Sequence, residues 1–181
     1  EATDALVRLI SENHQIDDRV ERARDLLETS GADVHTGEGI LLIKAAEYGD
    51  VEMCRLLIAK GVKTTVADEN KNTPLHMAAS GSHSDVCQLL LENGADVNAE
   101  NESGFQPLHM GHHREDEQTS RVLMMHGADI YRSGGRHSQH KIESACNRPF
   151  TRLLIKLMIR KGWQPPPQPE WMTPYDFIPA A

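Results

Sequence analysis

The sequence predicts an all-α solenoid of about five helix-turn-helix repeats with β-turn fingers between them. Two observations lead to this fold class: segments of the chain recur every 33 residues, and one repeated unit is too short to bury a core of its own. The composition agrees, since 39% hydrophobic and 25% charged residues are ordinary values for a folded domain. Stacked neighbouring units must therefore supply the hydrophobic core.

Short motifs define the period. GADV begins at Gly94 and returns as GADI at Gly127, and TPLH at Thr73 returns as QPLH at Gln106. The segments CRLLIAKG, CQLLLENG and SRVLMMHG keep the same spacing of 33 residues. A fixed period of this length is typical of repeat proteins.

The best-preserved unit, residues 68–100, predicts two helices. Thr73 is a good N-cap and Pro74 suits the first helical position, so a short helix begins there and ends near Gly81. Elsewhere Gln106 and Ile40 stand where Thr73 caps this helix, which removes the capping hydroxyl.

The second helix of the unit begins at Ser84 or Asp85. Leu89 and Leu90 belong to its apolar stripe, and Gly94 follows its last turn in the usual C-cap position. Helices of about ten residues are marginal in water when isolated, so packing between units is required.

The unit DENKNTPLHMAASGSHSDVCQLLLENGADVNA resembles an ankyrin repeat in its length, in the order of its helices and in its TPLH and GADVNA motifs. The resemblance extends over about residues 1–161 and weakens towards both ends. It implies a stack of helical hairpins with protruding β-turn fingers. The expected units are 1–34 (a degenerate N-terminal capping repeat), 35–67, 68–100, 101–133 and 134–164 (degenerate), followed by 165–181 as a Pro-rich capping tail or a partial sixth repeat.

Charge and cysteine content restrict the class of partner and the compartment. The formal net charge of −8 repels phosphate backbones, so we expect no nucleic acid partner. No apolar run reaches the ~18 residues of a membrane span. Three cysteines without framework spacing suit a reducing compartment, so we expect an intracellular protein, cytoplasmic or nuclear, and monomeric by itself.

The stretch QPLHMGHHREDEQ places His109, His112 and His113 within five residues. His109 and His113 are spaced as metal-binding histidines on a helix are, but the zincin pattern needs Glu beside the first histidine, where this chain has Met110. His109 also aligns with His76, which the resemblance implies makes structural hydrogen bonds between repeats. We therefore expect no cofactor and no metal, and a metal-binding regulator or enzyme built on the three histidines is kept as the alternative.

The sequence contains no nucleophile elbow, P-loop, GxGxxG or CxxC motif, so an enzyme is not expected. Asn98 lies in a segment, LLENGADVN, that resembles the target of an asparaginyl hydroxylase of animal cells, but Asn98 is equally the ordinary turn residue of the repeat. Cys54 and Cys87 occupy equivalent positions of neighbouring units, and we expect both in the core.

The segment RPFTRLLIKLMIRKGW predicts the outer helix of the fifth unit, with Leu153, Leu154, Leu157 and Met158 directed inward. Its basic residues, expected in solvent, are Arg148, Arg152, Lys156, Arg160 and Lys161. The alternative is a basic amphipathic helix that binds a membrane or an acidic partner. The tail that follows is expected to fold back as a cap, with a linear motif or an interrupted repeat as alternatives.

The resemblance implies a non-catalytic scaffold or adaptor that binds a segment of another protein across the finger tips and the concave face of the inner helices. The positions that carry over are Glu47, Tyr48, Glu69, Asn70, Asn72, Ser80, Glu102, Ser103, Phe105, His113, Arg114, Tyr131 and Arg132. Phe105 and Tyr48 are the expected hot spots, because an aromatic side chain exposed at a tip or on a helix face has no role in the core. The alternative for Phe105 is that it packs on the neighbouring finger. A further alternative is an adaptor module of a larger protein, such as a ubiquitin-ligase subunit or a pathogen effector.

Overall fold

The computed structural model describes residues 2–11, 19–29, 39–111, 116–131 and 149–167, and all regular structure in these ranges is α-helical. The helices are α1 Ala2–Ser11, α2 Arg19–Thr29, α3 Ile40–Glu47, α4 Val51–Ala59, α5 Pro74–Ser80, α6 Ser84–Glu92, α7 Pro107–Gly111, α8 Glu117–Met125 and α9 Pro149–Arg160.

The helices form two rows. Helices α1, α3, α5 and α7 contact one another in succession and make up the inner row, whereas α2, α4, α6, α8 and α9 make up the outer row. Each inner helix also packs against the outer helix that follows it in the chain. The predicted all-α repeat solenoid is confirmed, and the number of repeats and the boundaries of the units stay predictions.

Small residues let the inner helices approach one another. Ala45 and Ala46 of α3 and Ala78 and Ala79 of α5 are completely buried, and Leu75 of α5 is buried in the same hydrophobic core. Close packing of this kind is sensitive to the loss or gain of a single methylene group. The stack therefore depends on the alanines as much as on its leucines.

Cys54 and Cys87 lie in the core of the outer row, as expected. Both thiols are free and buried, and burial raises the pKa of each to about 12. A thiol that remains protonated is a poor nucleophile and metal ligand. The two cysteines are therefore packing residues.

Two of the outer helices, α4 and α8, begin at acidic caps. The Asp50 carboxylate accepts a hydrogen bond from the Met53 backbone N–H (3.0 Å) and Asp116 accepts from Thr119 N–H (3.0 Å). The inner helix α3 begins differently from the sequence prediction, because its N-cap is Gly39 in a left-handed conformation (φ 92°), one residue before Ile40.

Helix α9 corrects the sequence prediction at two positions. Leu154 and Met158 are buried as expected, together with Ile155, but Leu153 is 60% exposed and Leu157 is 39% exposed. The apolar residues of α9 span more than one face, so either of two neighbouring stripes could turn inward. The structure buries the stripe that contains Ile155.

Two predictions fall on undescribed parts of the chain. Most of the fifth unit before α9, residues 132–148, and the tail after Pro167 lie outside the described residues. Among the described helices, none is long and apolar enough to cross a bilayer.

Candidate functional site

The finger at residues 68–72 is closed by one carboxylate. Asp68 accepts hydrogen bonds from the backbone N–H groups of Asn70 (2.9 Å) and Asn72 (2.7 Å), and from the Asn72 side-chain amide (3.0 Å). Lys71 adopts a positive φ of 61° at the tip of this turn. The side chain of Asp68 thus fixes a backbone shape that the chain would adopt poorly without it.

Asn101 joins this finger to the next. Its side chain, 6% exposed, donates to Asn72 Oδ1 (2.9 Å) and accepts from the Phe105 backbone N–H (2.9 Å). The backbone N–H of Glu102 donates to the Asn70 carbonyl oxygen (2.8 Å). The two finger tips are therefore held in a fixed relation by side-chain and backbone bonds together.

Asn98 repeats this arrangement at the following turn. It donates to the Gly127 carbonyl oxygen (3.1 Å) and accepts from the Asp129 N–H (2.8 Å). Its own carbonyl oxygen accepts from the Gln106 side-chain amide (3.2 Å). Asn98 is thus engaged in bonds that connect successive turns.

His76 connects the inner row to the fingers. Its Nδ1 accepts from the Thr73 backbone N–H (3.1 Å), so Nε2 carries the proton and donates to the Phe105 carbonyl oxygen (2.9 Å). Burial of the ring lowers the pKa of His76 below its usual 6.5. The neutral imidazole is the form that satisfies both of these contacts.

His109 makes the equivalent contact in the next unit. Its Nδ1 accepts from the Gln106 N–H (3.0 Å), and its ring is buried. Within the part of the chain that the structure describes, no group of three or more His, Cys, Asp or Glu side chains is placed to hold a metal. His112 and His113 lie outside the described residues.

His83 connects its repeat to the preceding one, a role that the sequence did not lead us to expect. Its Nε2 donates to the Glu47 carbonyl oxygen at the end of α3 (3.0 Å), and its ring lies directly over Gly49 and Gly81. The signal was present in the repeat frame, because His83 occupies the position at which neighbouring units carry the helix caps Asp50 and Asp116.

Apart from Tyr131, which is buried, the predicted partner-binding residues fall into three groups. The exposed ones are Glu69, Asn70, Glu102 and Ser103, and the half-buried ones are Glu47, Tyr48, Asn72, Ser80 and Phe105. His113, Arg114 and Arg132 lie outside the described residues. The exposed group combines two neighbouring finger tips, which we call the tip surface (Glu69, Asn70, Glu102 and Ser103).

Two of the predicted residues form hydrogen bonds within the array, and one of them, Tyr131, is also buried. Tyr131 is 7% exposed, and its hydroxyl donates to the Pro166 carbonyl oxygen (2.9 Å). The Asn72 side chain bonds to Asp68 and Asn101, as described above. Both side chains therefore connect parts of the array, and their contact with a partner stays a prediction.

Phe105 also has a packing contact. Its ring lies 6.4 Å from the His109 ring at an interplanar angle of 52°, which is within the range of favourable aromatic pairs. The side chain is only partly exposed. Phe105 therefore supports the framework histidine as well as bordering the tip surface.

Comparison with protein families identifies the repeated unit. The family model described as "Ankyrin repeats (3 copies)" matches residues 15–101 and residues 42–133, which together cover more than half of the chain. No curated protein matches the chain significantly.

Proposed function

We propose that this chain, which belongs to the ankyrin-repeat family, is a non-catalytic scaffold or adaptor that binds a segment of another protein across its tip surface and the inner row of helices. Ankyrin repeats are in general protein-protein interaction modules and are typically non-catalytic. The observation that carries the proposal is the set of hydrogen bonds that joins two successive fingers. Four polar side chains remain exposed at the tips of these fingers.

The finger network favours binding because it orders the surface before a partner arrives. Asp68 fixes the first turn, and the Asn101 side chain fixes the second turn against it. A partner then does not have to order these loops, and ordering costs are a large part of what weakens protein association. The tip surface is therefore suited to recognition through fixed polar positions.

The inner row provides the second part of the proposed surface. Tyr48 and Ser80 lie at the C-terminal ends of α3 and α5, and both are half-buried. Glu47 accepts a hydrogen bond from Lys44 (2.7 Å) beside them. An extended or helical segment that lies along the fingers would contact these helix ends at the same time.

Compartment and assembly form part of the proposal. Buried free thiols at Cys54 and Cys87 suit a reducing, intracellular compartment, either cytoplasm or nucleus. We propose that the chain is monomeric by itself and that it is an adaptor, alone or as a module of a longer protein.

The proposal is tested by reversing the charge of the tip surface and measuring how much partner capture is lost. In the variant Glu69→Lys/Glu102→Lys, both exposed tip carboxylates become ammonium groups, which repel any partner that the carboxylates attract. We expect tagged wild-type protein to enrich a partner from lysate of the source cell, and the variant to lose at least about 90% of that enrichment by quantitative mass spectrometry, a change of roughly 1.4 kcal/mol or more.

A matched control is available on the outer row. Glu52→Lys/Glu92→Lys makes the same change in net charge at exposed positions of α4 and α6. It is expected to retain the enriched partner, and both variants should melt near the wild-type temperature because exposed charges contribute little to stability. Equal capture by both variants, or loss confined to the outer-row control, would contradict the proposed surface.

A further inference from the structure

A groove lies between α8 and α9 on the outer row, away from the tip surface. Its volume is about 450 Å³, and its walls include Met125 of α8 and Leu157, Met158 and Trp163 at the end of α9. Glu117 and Arg121 continue the α8 wall and form an ion pair with each other. The groove therefore has an apolar floor and polar ends.

Apolar exposure extends from this groove along α9. Met125 is 59% exposed, and Leu153 and Leu157, one helical turn apart, are also exposed. Leu153 and Leu157 are separated by roughly 6 Å along the axis of α9, and past the end of α9 at Arg160 the groove continues to Trp163. The apolar surface therefore extends beyond the groove itself and suits a short helical or extended segment that carries more than one apolar side chain.

The rim of the strip is basic. Lys156, Arg160 and Lys161 are exposed, and the sequence of α9 contains no acidic residue. Among the described residues, no carboxylate forms an ion pair with any of these three cations. The rest of the chain is acidic, since its net charge is −8, so the outer face of α9 has the opposite sign from the protein as a whole.

We propose that this groove and the strip beside it dock a peptide segment that carries large apolar anchors flanked by acidic residues. The apolar anchors occupy the space beside Met125 and Leu157, and the acidic flanks pair with Lys156, Arg160 and Lys161. This is a second interaction surface, on the row of helices opposite the proposed tip surface, and it does not depend on that first assignment.

The distribution of charge favours a peptide over an anionic membrane as the ligand of this groove. A bilayer faces the whole protein, whose net charge of −8 opposes adsorption to an anionic surface. A short peptide responds mainly to charges within a Debye length, which is about 8 Å at physiological salt. The local cations of α9 therefore favour the peptide.

Trp163 supplies a local probe for the test. The sequence has two tryptophans, so Trp171→Phe leaves Trp163, in the wall of the groove, as the one tryptophan. The ligand is a synthetic peptide of about 14 residues with leucines at helical three- and four-residue spacing and glutamates elsewhere. The comparison peptides replace its glutamates by lysines or its leucines by serines.

The expected result is a blue shift of Trp163 emission with the acidic leucine peptide, and at least tenfold weaker binding of both comparison peptides. Lys156→Glu/Arg160→Glu and, separately, Met125→Ser/Leu157→Ser should each weaken binding at least tenfold. All four positions are exposed, so the variants should fold. The control Arg55→Glu/Lys63→Glu, a matched charge change at exposed positions elsewhere, should bind as the parent does.

Four outcomes would overturn the proposal, the last of them in favour of a membrane. One is equal or tighter binding of the lysine peptide, and another is unchanged affinity in the groove variants. The third is a Trp163 emission that is already blue and does not respond to peptide, because the groove would then be filled by the chain itself. The fourth is tighter binding to anionic lipid vesicles than to the peptide, which would identify a membrane surface as the ligand of the groove.

Discussion

Replacement of His76 by Ala should lower the free energy of unfolding by about 3 kcal/mol. The substitution empties a buried site between α5 and the next finger, and it leaves the Thr73 N–H without its acceptor. It also removes the Nε2–H donor from the Phe105 carbonyl oxygen, which retains the Asn101 N–H. Urea unfolding followed by circular dichroism measures the change.

His126→Ala is the matched control. His126 is exposed at the end of α8, and its ring contacts only the Val122 carbonyl oxygen of its own helix within the described hydrogen bonds. Its loss should cost less than about 0.5 kcal/mol. Similar losses for the two variants would show that His76 is not the connection between repeats that the geometry indicates.

The stability of the wild-type protein should also depend on pH through His76. Burial lowers the pKa of the folded-state imidazole below 6.5, so at higher pH the ring is neutral in both states and its stabilisation is complete. Below pH 6.5 the unfolded chain binds the proton first, and stability falls until the pH reaches the folded-state pKa. The slope is at most about 1.4 kcal/mol per pH unit for one such group, and His76→Ala should lack this contribution. Identical pH slopes for the two proteins would contradict a buried neutral His76.

The second large effect is expected for Gly49→Ala, at about 3 kcal/mol of destabilisation. Gly49 has φ of 72°, and a Cβ atom added there would lie 2.5 Å from His83 Nδ1. An alanine must therefore adopt an unfavourable backbone conformation and also displace the ring that bonds to the Glu47 carbonyl oxygen. Thermal and urea unfolding report the loss.

The variant Gly61→Ala measures the cost of the backbone conformation without the cost of displacing a ring. Gly61 has a similarly positive φ of 92°, but no atom lies within 4 Å of the position of an added Cβ, so its substitution should cost only about 1 kcal/mol of backbone strain. In a His83→Ala background, the excess cost at Gly49 over Gly61 should largely vanish, since the ring is absent. An excess that persists without the ring would show that His83 does not clamp α3 to the next unit.

The repeat frame predicted the fold because its signals are local and recur. Thr73 with Pro74, and Gly94 after the second helix, mark helix ends through capping chemistry that does not depend on distant contacts. The framework role of His109 also followed from its alignment with His76, and both histidines make the same Nδ1 contact in the structure.

Other features depend on contacts between repeats, which periodicity does not contain. Helix α9 has apolar residues on more than one face, so the sequence could not decide that Ile155 turns inward while Leu153 turns outward. Tyr131 was expected on the binding surface, but its hydroxyl bonds to Pro166, 35 residues away. His83 needed the positions of Gly49 and of the Glu47 carbonyl oxygen before its role could be recognised.

These contacts give the proposed surfaces different physical characters. The tip surface is polar and is fixed by hydrogen bonds to the side chains of Asp68 and Asn101, whereas the groove between α8 and α9 is apolar with a basic rim. Partners of different chemistry suit the two surfaces. One array would then be able to hold two segments at once, on opposite rows, as an adaptor requires.

The most direct test of the central claim is hydrogen exchange, measured by mass spectrometry, on the chain with and without the partner that capture identifies. We expect the partner to slow exchange at residues 68–72 and 101–105, the two coupled fingers, and to leave exchange in α4 and α6 of the outer row unchanged. Slower exchange confined to α4 and α6, with the fingers unaffected, would contradict a binding surface on the fingers and inner row.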